Sequence, residues 1–200
     1  MNNEETNDLS KAKKRCNHIL TLIIDDNFNQ KLENLPNGLQ NLTLGSKFNQ
    51  KLENLPNGLQ NLTFYYWSKF NQKLEKLPNN LQNLTLGYCF NQKLENLPKR
   101  LQSLTLGYNF NQKLENLPNS LQNLTLGKNF NQKLNFCVAL PRLQNLTLSD
   151  NNNYLMIPPL FNVTIFYVSS SRIINKKKYE NYKNYGVSKW KNVLNKSINI

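Results

Sequence analysis

A five-residue string, Phe-Asn-Gln-Lys-Leu, begins at Phe28, Phe48, Phe70, Phe90, Phe110 and Phe130, at spacings of 20, 22, 20, 20 and 20 residues. Self-similarity at such a period restricts a chain more than any other sequence feature. Each copy is one structural unit that contacts its neighbours, and stability belongs to the stack rather than to the unit. A second string, Leu-Pro-x-x-Leu-Gln-x-Leu-Thr, alternates with the first, as in Leu55 to Thr63. Its threonine extends the array outward, from Thr21 (ILTL) through Thr43 to Thr147 and Thr164 (NVTI). This predicts about eight turns over residues 17–166, between an N-terminal extension or cap at 1–16 and a basic C-terminal cap or tail at 167–200.

Asn-Leu-Thr-Leu alternates polar and apolar residues with period two, the pattern of a strand with one buried face. Leu42 and Leu44 should point inward, and Asn41 and Thr43 outward. Proline recurs at 36, 56, 78, 98 and 118. A proline there bars a regular helix and favours extended or turn backbone. Too few residues separate successive strands for a helix with two connections. The convex side should be extended, polyproline-like or short 3₁₀. Gly45, Gly87, Gly107 and Gly127 follow the strand, where the chain must bend. Parallel strands about 4.8 Å apart would build a solenoid roughly 35–40 Å long. The fold class expected is a mainly β, right-handed, leucine-rich-repeat-like coil.

These motifs resemble the FNIP repeats of social amoebae and of giant DNA viruses that infect amoebae. The resemblance covers about three quarters of the chain and rests on six near-identical copies. The Leu-Pro-x-x-Leu half is also similar to the short leucine-rich repeats of bacterial effectors. The family often has proline after Phe-Asn-Gln; here Lys31, Lys51, Lys73, Lys93, Lys113 and Lys133 follow instead. The resemblance implies a non-enzymatic protein-interaction module with a host protein as partner. Family members often carry an F-box, which implies a ubiquitin-ligase context. The segment ahead of the first repeat is too short for one.

Within the repeat, the phenylalanines are expected to form a buried spine of rings. The asparagines that follow them (Asn29, Asn49 and equivalents) are expected to form an inside ladder satisfying backbone groups. The outward strand face gives two columns. One is Asn41, Asn61, Asn83 and Asn123; the other is Thr43, Thr63, Thr85, Thr105 and Thr125. Identical residues at each level point to cross-strand pairing. Variation appears just after each strand, and there recognition should lie. The insertion Tyr65-Tyr66-Trp67 with Lys69 stands next to Tyr88, Tyr108 and Lys128. Aromatic residues and cations are the types enriched in binding hot spots. Asn-Leu-Thr matches a glycosylation sequon, and strand alternation accounts for the match. The Lys51/Glu53-type pairs read as a solvated, self-neutralising face.

The net charge of +13 is concentrated at the C-terminal end. Eight basic residues lie between Arg172 and Lys196 against a single acid, Glu180, with Tyr179, Tyr182 and Tyr185 among them. This is a cap or tail, or alternatively a nucleic-acid-binding segment over 172–200. From Ser188 a short amphipathic helix is expected. No phosphate-cradling loop, metal-spaced Cys/His cluster or Ser-His-Asp set is present, and the chain has one histidine and three unevenly spaced cysteines. The expectation is therefore no enzyme and no cofactor. No apolar run reaches the about 20 residues of a membrane span, and the N-terminus has no secretory pattern. The chain is expected to be a monomer in the cytoplasm (of the host cell, if viral) or the nucleus, with reduced thiols.

Overall fold

The computed structural model describes residues 4–6, 20–134, 140–149, 164–168 and 173–174. They form one ten-stranded sheet whose strands lie side by side in chain order. Strand β1 (Glu4–Thr6) precedes β2 (Thr21–Ile24), β3 (Asn41–Leu44), β4 (Asn61–Phe64), β5 (Asn83–Thr85), β6 (Ser103–Thr105) and β7 (Asn123–Thr125). Strands β8 (Asn145–Ser149), β9 (Thr164–Val168) and β10 (Ile173–Ile174) complete it. All neighbours are parallel except β9 and β10. Register advances by one repeat per strand: Leu42 pairs with Leu62, Leu62 with Leu84, and Leu84 with Leu104.

Six coils connect β2 to β8, so the described solenoid has about six turns, slightly fewer than the eight expected. The sheet does continue beyond them, into β1 and β9, but the threonine column does not: Thr21 pairs with Asn41 and Thr164 with Asn145, two residues away from the threonine position. No helix, α or 3₁₀, occurs among the described residues. The convex side is extended backbone punctuated by turns. The amphipathic pattern after Ser188, the basic run, Cys16 and Cys137 lie outside the described residues, as do most of the proposed end segments.

Each coil is pinned by two turns that the sequence repeats. After each proline, the Leu59-type N–H donates to the Pro56-type carbonyl at 3.0–3.1 Å. After the strands that glycine follows, the Phe48-type N–H donates to the Gly45-type carbonyl at 3.2–3.3 Å. Between coils, the Gln40 carbonyl accepts from both Gln60 and Asn61, and the same fork repeats at Gln60, Gln82, Gln102 and Gln122.

The interior is the apolar set that period two demands. Leu42, Leu44, Leu62, Leu84 and Leu104 are all at most 1% exposed. Six phenylalanine rings stack along the axis, with centroids 6.0–6.3 Å apart and planes within 19° of parallel. Phe64, where the neighbouring turns have leucine, packs on Phe70 at 4.2 Å. Such offset ring pairs stabilise beyond the area they bury.

The asparagine that follows each phenylalanine is not inside. Asn49, Asn91 and Asn111 are half-buried, and Asn29 and Asn71 are exposed. The ladder itself exists, with the oxygen as its working end. Asn29 Oδ1 accepts the N–H of Asn49, and Asn91 Oδ1 that of Asn111, at 2.8–2.9 Å. Gln50 and Gln112 donate to the same oxygens from their side chains. The ladder sits at the rim because those N–H groups face sideways, toward the next turn. Asn91→Ala should cost about 1–3 kcal/mol by leaving two donors unpaired, and faster amide exchange at Asn111 would report it.

One asparagine position carries a conformational role that the repeat pattern had not revealed. Asn34, Asn54, Asn96 and Asn116 have φ between 54° and 57°. Asparagine visits this left-handed region more readily than other non-glycine residues. The equivalent residue in the third copy is Lys76, which is absent from the positive-φ set; that turn takes another backbone path. Asn54→Ala should lose about 1 kcal/mol in urea unfolding, the left-handed cost of a Cβ, while Lys76→Ala should lose almost nothing.

Candidate functional site

On the outward face of the strands the two polar columns divide their roles. The asparagine amides are used internally. Asn41 Nδ2 donates to Thr21 Oγ1 at 2.9 Å, Asn61 Nδ2 to Asn41 Oδ1, and Asn83 Nδ2 to Asn61 Oδ1. The chain continues from Asn123 to Ser103 Oγ at 3.0 Å and from Asn145 to Asn123 Oδ1 at 2.7 Å. The sequon nitrogens are thus donors within a ladder, which fits the structural reading of those motifs.

The threonines behave differently. Thr43, Thr63, Thr85, Thr105 and Thr125 are half-exposed. Their hydroxyls make no hydrogen bond among the described residues. The expected cross-strand pairing therefore belongs to the asparagine column alone. Threonine is too short to reach its equivalent across a parallel strand spacing of about 4.8 Å, whereas an amide spans it.

Beside the threonine column runs a groove of about 690 Å³. Its floor includes Leu86, Leu106 and Leu126, and its far wall holds Tyr65, Tyr66, Tyr108 and Lys128. Gly107 and Gly127 also line it. Sequence reasoning missed this groove. The glycine column just past the strands, expected to serve a bend, has another cause. No glycine among the described residues has positive φ. The column is glycine because adjacent turns touch there: a Cβ on Gly107 would stand 2.0 Å from the Gly87 carbonyl oxygen.

The post-strand residues form a ridge along the groove. Tyr66 meets Trp67 edge-on at 4.8 Å and Tyr88 at 6.2 Å, and Trp67 lies 5.2 Å from Tyr88. Tyr88 stacks on Tyr108 at 4.7 Å. Lys128 Nζ sits 5.8 Å from the Tyr108 ring centroid, within range of a cation–π attraction. Four rings and one ammonium are therefore contiguous across four levels. Tyr65 joins the groove wall rather than the ring cluster, and Lys69 is exposed but lines neither.

The two-residue insertion is what places Trp67. The Ser68 N–H closes the turn on the Tyr65 carbonyl at 2.9 Å. Ser68 is fully buried, and its Oγ accepts the Phe70 N–H at 3.1 Å, replacing the carbonyl that other turns use. The extra residues are thus absorbed below, while Trp67 and Tyr66 stay 67% and 59% exposed above. An insertion whose turn is closed by hydrogen bonds and that leaves large rings in water is an uncommon use of apolar surface.

On the opposite side, Lys51, Glu53 and their equivalents are all exposed. Cys89 is a half-exposed free thiol. Among the described residues no His/Cys/Asp/Glu group has metal-binding proximity, and no helix is long and apolar enough to cross a membrane.

The family model described as FNIP Repeat matches residues 28–66, 70–109, 90–117 and 110–151. Among solved structures, the chain is similar to CroV588, a giant-virus protein whose crystal structure is described as a novel circular LRR protein structure. Identity is 38% and the TM-score 0.59, over 76% of this chain and 27% of that one. The chain thus spans about a quarter of the length of that protein. None of the curated proteins matches significantly.

Proposed function

The chain belongs to the FNIP repeat family, with a leucine-rich-repeat-like solenoid, and from that premise we propose that it is a non-enzymatic module that binds a protein partner through the aromatic ridge and the threonine groove. The observation that carries this reading is the pairing of four contacting rings, Trp67 the most exposed, with a column of hydroxyls that have no partner among the described residues. Buried anchors of aromatic type dominate protein interfaces, and solenoids present such surfaces along their length. The family resemblance adds a host protein as the partner; the ubiquitin-ligase context comes from the resemblance alone and belongs to members that carry an F-box.

The Tyr65/Tyr66/Trp67→Ala triple variant tests it. These rings are exposed, so its melting temperature should stay within a few degrees of the parent. Cross-linking in amoebal lysate, read by mass spectrometry, should capture a partner with the parent and at least about ten-fold less with the variant. Equal capture by both would remove the ridge as the binding surface.

A further inference from the structure

The floor of the groove is the parallel sheet itself, whose backbone groups are already paired between neighbouring strands. A bound segment cannot join it as an added strand there, so side chains must hold it. The groove crosses the strands and runs along the stack. Its lining therefore repeats once per turn, at about 4.8 Å, and on the ridge beside it the Tyr88 and Tyr108 rings keep that pitch at 4.7 Å.

Two levels span about 9.6 Å. A polyproline II segment has three residues per turn at about 3.1 Å each, or about 9.3 Å. Its residues i and i+3 therefore fall two levels apart, in step with Tyr66 and Tyr108. A β-extended segment repeats every about 6.6 Å and falls out of step at once. From Thr63 to Thr147 the groove covers five levels, about 19 Å, room for about six residues of polyproline II. That conformation has no internal hydrogen bonds and leaves its carbonyls free to accept. The threonine hydroxyls supply one donor per level. Aromatic-lined grooves are the surface on which such segments dock.

Charge narrows the ligand further. Among the described residues that line the groove, Lys128 is the one that is charged, and none is a carboxylate. A single cation suits an acidic residue beside the proline run. It is too few for a phosphodiester strand, whose affinity comes from neutralising several phosphates. We propose that this groove binds a proline-rich segment of a protein partner, held in polyproline II conformation with an acidic residue at the Lys128 end. This rests on the binding-module reading and specifies its ligand class.

The test titrates the full chain with three labelled probes, followed by fluorescence anisotropy. One is a peptide of about eight prolines flanked by aspartate at both ends. The others are a Gly-Ser peptide of equal length and charge and a short oligothymidylate. The proline peptide should bind and the Gly-Ser peptide should not. Tyr66→Ala and Tyr108→Ala should each weaken binding at least about ten-fold. Lys128→Glu should weaken the aspartate-flanked peptide and leave an uncharged proline peptide unchanged. Equal binding of the Gly-Ser peptide, indifference to both tyrosine variants, or binding of the oligothymidylate in place of the proline peptide would overturn the proposal. Should no peptide bind while the Tyr65/Tyr66/Trp67 variant still loses its captured partner, the ligand class is wrong and the module reading stands. If neither probe nor partner responds to these variants, both fall.

Discussion

Phe90→Ala should lower unfolding stability by about 3–5 kcal/mol, the range for removing a fully buried ring. Phe90 is 0% exposed and stacks on Phe70 at 6.0 Å and on Phe110 at 6.1 Å. Its removal opens a void in the middle of the spine, and the flanking turns cannot close over it. Their separation is fixed by the strand ladder and by hydrogen bonds such as Asn91 to Asn71. A solenoid is stable through nearest-neighbour coupling, so a central defect should also weaken cooperation between the two halves. Urea unfolding should show a lower midpoint and a shallower or biphasic transition. Phe28→Ala, at the edge of the spine and 9% exposed, should cost less and leave the transition single. Equal costs at both positions would show that the rings fill space without coupling the turns.

Gly107→Ala should be nearly as damaging, for a different reason. The added Cβ would stand 2.0 Å from the Gly87 carbonyl oxygen and 2.4 Å from its carbonyl carbon. Those are backbone atoms of the previous turn, so the coil must move rather than a side chain. Overpacking of this kind costs about 1–3 kcal/mol, and rigid backbone on both sides favours the upper end. Gly58 is the internal control. Its nearest atoms to an added Cβ are the Asn37 and Leu39 carbonyl oxygens at 3.6 Å, and its φ is not positive. Gly58→Ala should be neutral or raise stability by about 0.4–1 kcal/mol, through a less flexible unfolded chain. Thermal melts of the two variants side by side decide the matter. If both behave alike, turn-to-turn contact is not what the glycine column serves.

The strand face was legible residue by residue, because period two leaves little choice. Leu42 and Leu44 had to be inside, with Asn41 and Thr43 outside. The phenylalanine spine followed from repetition, since one large apolar residue per turn has nowhere to go but the axis. The Asn29-type ladder was legible in its bonds but not its depth. A side chain that caps the neighbouring turn can do so from the rim, and sequence does not distinguish rim from core for a short amide. The left-handed asparagines at 34, 54, 96 and 116 and the substitution at Lys76 were hidden, because every repeat holds several asparagines and residue type alone does not tell a left-handed turn from a side-chain ladder. The aromatic residues after the strands were visible as variation within repetition. That Tyr66, Trp67, Tyr88 and Tyr108 touch depended on a buried serine absorbing the insertion.

What the sequence determined alone is the stack: identical segments with one apolar face each can bury it only against copies of themselves, in register. What the tertiary structure decided is which polar atoms that stacking consumes and which it leaves over. The asparagine amide is long enough to bridge one strand spacing and the threonine hydroxyl is not. The first column therefore became part of the frame, and the second became the open wall of a groove.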